Sequence, residues 1–371
     1  MYMNVEAIFR ELQVGPLTAT NRLMRSATHE SAADTEGMPH LGPLARIYGD
    51  LARGGVGLIV TGHSFVHSHG RASRNQCGMT SDAHARAWES ILLAVRAETK
   101  APILCQLTYA GRQAFFAGPT PAPNDKRQKL PPAGTPINDF APRQLEHVAA
   151  VFGEAAARAA QAGFDGVQIH MAHGYLLSEC LSAHTNQRDD EWGGQDPANR
   201  RRLPLAVVDA VRQALGDQRL VAVKLNGSDY LPPHGVEPAE AGETAAALAA
   251  EGVQLIEVSA GMAEAGMKTA QPVHGPDDEG YLLPLAVEVA KRTSVIVASV
   301  GGYRSAPLML KALAEGIDMI ALSRPLVREP DFPLNLQRNA AHTARCVSCN
   351  KCFGLSRGAL RCPLDHADPI D

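Results

Sequence analysis

The chain has no run of about eighteen consecutive apolar residues, the length a membrane-spanning helix requires, so no span is expected. Its first residues, MYMNVEAIFREL, lack a basic region followed by an apolar stretch, and no secretory signal is expected there. Positive charge is not in surplus. The formal net charge of −4 argues against general affinity for nucleic acid or anionic membranes. No G-x-G-x-x-G follows an early strand, which counts against an open dinucleotide-binding sheet. Cysteines are sparse until the end of the chain. Cys77, Cys105 and Cys180 are scattered and read as packed thiols. Without an export signal, the expected compartment is the cytoplasm, where a cysteine cluster reads as a metal site rather than disulfides.

The chain is long enough for one large barrel or two ordinary domains, at 371 residues, and its 45% hydrophobic content supports a full core. Glycine (33) and proline (25) are frequent, which suits many short turns. One pattern recurs: a helix-like stretch ends in Gly, and a short apolar strand follows, at 55–60, 163–169, 252–258 and 316–322. Further strands are expected at 22–26, 102–107, 220–224 and 295–299. Helical patterns lie between them, near 43–53, 82–98, 143–162, 198–215, 238–251, 282–292 and 305–315. Strict alternation of strand and helix implies a parallel sheet, and eight strands over this length predict an α/β fold, the (β/α)8 TIM barrel. An open doubly wound sheet is the second choice. Residues 112–142 carry many Pro and Gly and no regular period; they predict a long loop after the third strand that orders over the barrel mouth. The expected division is a barrel over 1–340 and a Cys-rich tail over 341–371.

In such a barrel the catalytic groups sit at the carboxyl ends of the strands. The most informative stretch is 166–181, GVQIHMAHGYLLSECL, where an apolar strand runs directly into His170, His173 and Tyr175. Two imidazoles and a phenol offer donors to a developing oxyanion and a transferable proton. The other strand ends contribute Ser26, Ala27 and Thr28, then Gln106, then Lys224 in the apolar run VAVKL. They also contribute Gly301–Gly302 and Ser323–Arg324. A Gly-Gly turn before a helix, beside an Arg at the next strand end, is a phosphate site in type. Lys224 requires a partner, either an anionic cofactor edge or a structural carboxylate, because burying an unpaired ammonium is costly. A non-redox reading also stands at this point, an aldolase or lyase using Lys224 as Schiff-base nucleophile.

The chain resembles the Old Yellow Enzyme family of FMN-dependent oxidoreductases over essentially its whole length. The matching pieces are 21–39, 51–62, QLTYAGRQ at 106–113, the long block 162–202, VKLNGSDY at 223–230, SVGGYRS at 299–305 and ALSRPLVREPD at 321–331. The resemblance implies FMN at the barrel mouth with its phosphate on Gly301, Gly302, Ser323 and Arg324. It implies that Ser26, Ala27 and Thr28 line the flavin, that Gln106 bonds its pyrimidine ring, and that Lys224 faces its N1 side. It further implies NAD(P)H as reductant and an activated C=C bond as substrate, of enone or enoyl-thioester type. His170 and His173 would hold the substrate carbonyl oxygen, and Tyr175 would donate the proton to the α-carbon. Departures are Tyr109 where many relatives carry His, Ser323 in place of a common Gly, Lys224 where Arg is commoner, and TGH at 61–63. The last of these directs His63 toward the flavin.

The tail, ARCVSCNKCFGLSRGALRCP, places Cys346, Cys349, Cys352 and Cys362 in a short span. Such a run suits an iron–sulfur cluster, with zinc and free thiols as the alternatives. The tail resembles that of the larger members of the family, the dienoyl-CoA reductases and trimethylamine dehydrogenase. That likeness implies a [4Fe–4S] cluster and an electron-transfer partner, and hence a flavin/iron–sulfur dehydrogenase or demethylase as the rival activity. A small-molecule substrate is expected in either case, and a homo-oligomer is compatible with both.

Overall fold

The computed structural model describes residues 4–116, 130–231, 233–353 and 359–365. A short helix, α1 (Glu6–Phe9), leads into an antiparallel hairpin of β1 (Leu12–Val14) and β2 (Leu17–Ala19). Eight parallel strands follow and close into a barrel. They are β3 (Leu23–Arg25), β4 (Leu58–Phe65), β5 (Ile103–Thr108), β6 (Gly166–Met171), β7 (Leu220–Asn226), β8 (Leu255–Ser259), β9 (Ile296–Val300) and β10 (Met319–Leu322). Closure comes from β10 pairing with β3, with Ile320 opposite Leu23 and Ala321 opposite Met24. The predicted (β/α)8 TIM barrel is therefore the fold.

The main connecting helices fall where the apolar spacing put them. They are α2 (Leu41–Arg53), α3 (Asp82–Arg96), α4 (Pro142–Gln161), α6 (Pro197–Leu215), α7 (Pro238–Ala250), α8 (Leu283–Ala290) and α9 (Ala306–Ala314). Short helices α5 (Leu176–Leu181) and α10 (Arg324–Arg328) were not foreseen separately, while α11 (Phe332–Arg338) is the helix expected from about 330 ahead of the tail. Proline at the first turn starts several helices, where its missing N–H has no partner to lose. Among the described residues, no helix is long and apolar enough to cross a membrane.

Alternation along the strands divides the core in two. Met24, Leu58, Val60, Leu104, Ala222, Leu255, Ala298 and Met319 point into the barrel, joined by Val14 and Ala19 of the hairpin. The hairpin thus plugs the amino-terminal end, a role invisible in its sequence because its two strands are three residues each. The opposite face of each strand packs on the helices, where Trp88, Phe152, Phe164 and Tyr48 are the large buried groups.

Two departures from the sequence reading bear on the site. Strand β4 does not stop near Val60 but runs to Phe65, and its pairing with β5 slips between Val60 and His63. A bulge re-aims the side chains that follow it, here His63. The long loop is anchored at both feet by one buried carboxylate, Glu179 of α5, which accepts from Arg112 N at 2.9 Å and Ile137 N at 3.2 Å. Part of the expected covering segment, 117–129, lies outside the described residues.

Close approach of strands makes specific glycines indispensable. A Cβ on Gly166 would sit 2.2 Å from the Leu220 carbonyl oxygen of the paired strand, whereas one on Gly42 in α2 meets nothing within 4 Å. Gly166→Ala should therefore lower stability by about 1–3 kcal/mol, as overpacking does. Gly42→Ala should leave it unchanged or raise it by up to about 1 kcal/mol through helix propensity. Urea denaturation midpoints of the two variants against the parent provide the measurement.

Candidate active site

The carboxyl ends of the strands enclose a cavity of about 430 Å³. Its floor is built around one side chain that the sequence reading passed over, Glu257 of β8, which is fully buried. Strand register sets Lys224 beside Glu257, and Lys224 Nζ lies 3.0 Å from Glu257 Oε1. Ser26 Oγ donates to the same oxygen at 2.5 Å and accepts from Lys224 Nζ at 2.9 Å. The second carboxylate oxygen accepts from Gln168 Nε2 at 2.8 Å, and Gln168 Oε1 accepts from Gln106 Nε2 at 2.7 Å. Of the two partners considered for Lys224, the structural carboxylate is present. Gln106 has its NH2 group committed to Gln168, which leaves its carbonyl oxygen as what it can offer to the cavity it lines. An acid inside the apolar run LIEVS was the signal that could have revealed Glu257, by the same reasoning that singled out Lys224.

One wall comes from the turn after β6. His173 (φ 63°) and Gly174 (φ 74°) are both left-handed, which swings the chain from β6 into α5. Non-Gly residues adopt that region at a cost, so the conformation must be held from outside. Asn226 Oδ1 accepts from His173 N at 3.2 Å, while Gln113 Nε2 donates to the carbonyls of His173 and Gly174 at 2.9 and 2.8 Å. His173 Nε2 lies 2.8 Å from Ser259 Oγ, which fixes its ring. His170 and Tyr175 rings are 4.9 Å apart, and His170 and His173 rings 5.1 Å. His170 Nδ1 is buried without a partner among the described residues.

Burial, with Lys224 nearby, holds both imidazoles neutral: His170 is pushed well below the ordinary value and His173 down to about 3. His63 is likewise driven well below by burial and its charged neighbours, and His29 to about 4 by burial. Burial raises the Tyr175 phenol to about 12, so it keeps its proton throughout the physiological range. Behind this wall Glu30 is buried with its carboxyl pushed up to about 7 by desolvation, opposed by Arg25. It accepts from Gly62 N at 2.9 Å and Tyr48 OH at 3.0 Å. A Cβ on Gly62 would lie 1.8 Å from Glu30 Oε2, so glycine in the TGH triplet makes room for this carboxyl.

The other end of the cavity is cationic. Gly301 and Gly302 both have positive φ, at 140° and 75°, and a Cβ on Gly302 would lie 2.6 Å from Val273 Cγ2. Gly302, Arg304, Ser323 and Arg324 line the cavity; Gly301 stands just behind, its carbonyl accepting from Tyr281 N. Ser323 Oγ and Thr28 Oγ1 are 2.8 Å apart. Arg324 donates to Gln271 O at 3.0 Å and Asn350 Oδ1 at 2.7 Å. Arg304 Nε, which the sequence reading did not single out, is buried without a partner. The structure thus gathers Ser26, Ala27, Thr28, Gln106, His170, His173, Tyr175, Lys224, Gly302, Ser323 and Arg324 into one cavity.

The described tail packs onto this end. Ala344 N donates to Arg304 O at 2.9 Å, and Leu360 N to Glu30 O at 2.8 Å. Cys346, Cys349, Cys352 and Cys362 line a second, smaller pocket, and Arg324 belongs to the walls of both. Left-handed Ser348 (φ 52°) and Asn350 (φ 60°) curl the loop that carries the first three. Among the described residues, no three His, Cys, Asp or Glu side chains are close enough together to hold a metal ion.

Residues 7–343 match the model of the NADH:flavin oxidoreductase / NADH oxidase family. The NADH oxidase of Thermoanaerobacter brockii is 29% identical over 96% of this chain and 56% of its own length, so the chain spans about half of that relative. The NADPH dehydrogenase of Geobacillus sp. (strain WCH70) is 30% identical over 88% of this chain and 92% of its own. Morphinone reductase in complex with tetrahydroNAD superposes with a TM-score of 0.72 and 25% identity, covering 91% of this chain and 92% of that one.

The depressed histidines set the acid limit of the fold. His173 takes no proton in the folded state until about pH 3, whereas the unfolded chain protonates it near 6.5. Its contribution is intact above 6.5 and is lost as pH falls through the interval down to about 3. Below pH 6.5 the stability of the parent relative to His173→Asn should decline by up to roughly 1.4 kcal/mol per pH unit. Denaturation midpoints of both proteins at pH 7.5, 6 and 5 measure it, and parallel curves would contradict the assignment.

Proposed function

The chain belongs to the NADH:flavin oxidoreductase / NADH oxidase family, and from that premise we propose that it is an FMN-dependent oxidoreductase that reduces activated C=C bonds with NAD(P)H. The substrates are small enones or enoyl thioesters. The observation that carries this reading is the single cavity with a cationic, glycine-turned end and, opposite it, two neutral imidazoles beside a protonated phenol.

The chain's own residues fit a phosphorylated heterocycle. Among the described residues, Arg304 Nε and His170 Nδ1 are buried polar atoms with no partner, and buried polar groups of this kind call for one. At the Gly302 turn a Cβ would collide with Val273 and Tyr281, so the backbone itself reaches the cavity wall, and Ser323, Arg324 and Arg304 stand around it. We assign the phosphate to Gly301, Gly302, Ser323 and Arg324, the ring to Ser26, Ala27, Thr28 and Gln106, and the N1 side to Lys224. Bound there, FMN supplies hydride transfer from NAD(P)H to the substrate β-carbon. Lys224 shares its charge with Glu257, so this corner is close to neutral before the cofactor enters. That ion pair also removes the amine which a Schiff-base lyase would require.

His170 and His173 act as neutral hydrogen-bond donors to the substrate carbonyl oxygen, and stabilise the negative charge that develops there. The Ser259 contact and the Asn226 contact keep His173 aimed while the oxygen changes charge. Tyr175 delivers its phenolic proton to the α-carbon. Among the described residues lining the cavity there is no carboxylate, so a cationic amine finds no counter-charge from them. This favours the carbonyl-activated substrate over an amine.

One observation keeps a second redox role in view: the four cysteines line a pocket that shares Arg324 with the cavity. We read Cys346, Cys349, Cys352 and Cys362 as the ligands of a metal group, a [4Fe–4S] cluster or zinc, in the tail 341–371 beside the barrel of 1–340. That group would have to draw them together, since as placed no three of them stand close enough to share an ion. A cluster there would connect the flavin site with an electron-transfer partner. The cytoplasm is the compartment in which such thiols stay reduced.

Two measurements test these assignments. Anaerobically purified protein should show flavin absorption bands, and a brown shoulder with near-stoichiometric iron and sulfide would identify the tail group as a cluster. A colourless protein that fails to take up added FMN would overturn the reading. Tyr175→Phe should lower C=C reduction by about 10²–10⁴-fold while retaining flavin reduction by NAD(P)H. Unchanged turnover in stopped-flow assays of the two half-reactions would reject the proton-donor role.

A further inference from the structure

Tyr175 gives up its proton once per turnover, and nothing in that step says how the phenol regains it. Among the described residues, its hydroxyl has one hydrogen-bond partner, His63 Nε2 at 3.4 Å. The bulge in β4 places His63 there, and the two rings are 5.9 Å apart. The contact is long for a hydrogen bond, as catalytic contacts often are before substrate binds. On its far side, His63 meets His29, with ring centres 4.9 Å apart in an edge-to-face arrangement. His29 Nε2 lies 3.0 Å from Ser73 Oγ, and Ser73 is half-buried, next to the exposed Arg74. Polar groups thus line the way from the phenol inside the cavity toward the protein surface, the His63–His29 step being a ring contact rather than a hydrogen bond.

We propose that His63 is the proton relay of this site, returning to Tyr175 the proton that it delivers to substrate, along the row His29–Ser73 from solvent. The proposal rests on the ene-reductase reading of the cavity. The balance is as follows. The phenol O–H bond breaks as the proton joins the substrate α-carbon, and the hydride at the β-carbon completes the two-electron reduction, with NAD(P)H as reductant. The phenolate oxygen accepts the hydrogen bond from His63 Nε2–H and then takes that proton. His63 Nδ1 takes one up from the His29 side, so the ring ends neutral in the other tautomer and no net charge is left inside the cavity.

The surroundings favour this role over that of a charged donor. His63 is faced by His29 from the loop after β3, Tyr175 and His173 from the loop after β6, and Lys224 from β7. Burial and these cationic or imidazole neighbours keep His63 neutral, and a neutral ring can donate from one nitrogen while accepting at the other. Spacing in the sequence gives no hint of the row, because residues 29, 63, 73 and 175 come from three separate strand-end loops.

The test uses the FMN-loaded protein and the variants His63→Gln, His63→Phe and Tyr175→Phe. Nitrogen-15 spectra of histidine-labelled protein, recorded without substrate, should show His63 neutral with its proton on Nε2 and displaced by Tyr175→Phe. Under steady-state turnover with an enone, His63→Phe should lower kcat about tenfold or more, with less effect on a single stopped-flow reoxidation of the reduced flavin, which uses the proton already on Tyr175. His63→Gln, whose amide N–H can hydrogen-bond the phenol but cannot pass its proton on, should lose as much turnover as His63→Phe. An Nδ1–H tautomer insensitive to Tyr175→Phe, or turnover restored in His63→Gln, would overturn the relay. If the parent reduces no enone, the functional reading fails, and the spectra alone still decide whether His63 bonds the phenol.

Discussion

A single buried carboxylate, Glu257, organises the floor of this barrel. It accepts from Ser26 and Gln168 and pairs with Lys224, and through Gln168 it fixes Gln106. Four strands, β3, β5, β7 and β8, are thereby tied at the level where the cavity begins, with β6 supplying the link. A charge in so dry a place is tolerable only because each oxygen has donors. Removing one partner of such a pair leaves the other uncompensated, at a cost of about 3–5 kcal/mol. The floor is consequently rigid, and its polarity is spent mostly on itself rather than on the cavity.

Above that floor the electrostatics divide cleanly. Lys224 lies close enough to depress His63, His170 and His173, yet its own charge is shared with Glu257. The imidazoles therefore remain neutral donors and acceptors, while unshared positive charge stands at the other end with Arg304 and Arg324. A phosphorylated cofactor and a carbonyl-bearing substrate suit these two ends for separate reasons, one electrostatic and one through hydrogen bonding. The tail contributes to the first of them, since Asn350 and the Ser348 carbonyl hold Arg324 in place. The cysteines are in this way coupled structurally to the cavity, whatever they ligate.

Much of the fold was legible because it depends on local patterns. Gly at a helix end followed by an apolar, β-branched run identifies a βα-barrel unit wherever it recurs, and the strand ends then fall at known positions. His170, His173, Tyr175, Ser323 and Arg324 could be named because they follow those ends directly. Glu257 was missed because a residue inside a strand is read by default as packing. The plug hairpin was missed because segments of three residues carry no period. His63 could be noted from the TGH triplet, but its partner could not, because a bulge in β4 and a turn after β6 bring the two together.

The sequence by itself determined the (β/α)8 architecture, the family likeness, the residue types at the strand ends and the four-cysteine run. These follow from periodicity and from chemistry that short stretches carry. Tertiary structure alone decided that Lys224 is paired rather than free, that Gly302 rather than Gly301 reaches the cavity wall, and that two histidines, His63 and His170, pack against Tyr175. It also decided that Arg324 is shared between the cavity and the cysteine pocket. Each of these depends on strand register and on turns with unusual backbone angles, which join residues far apart in the chain and leave no local trace.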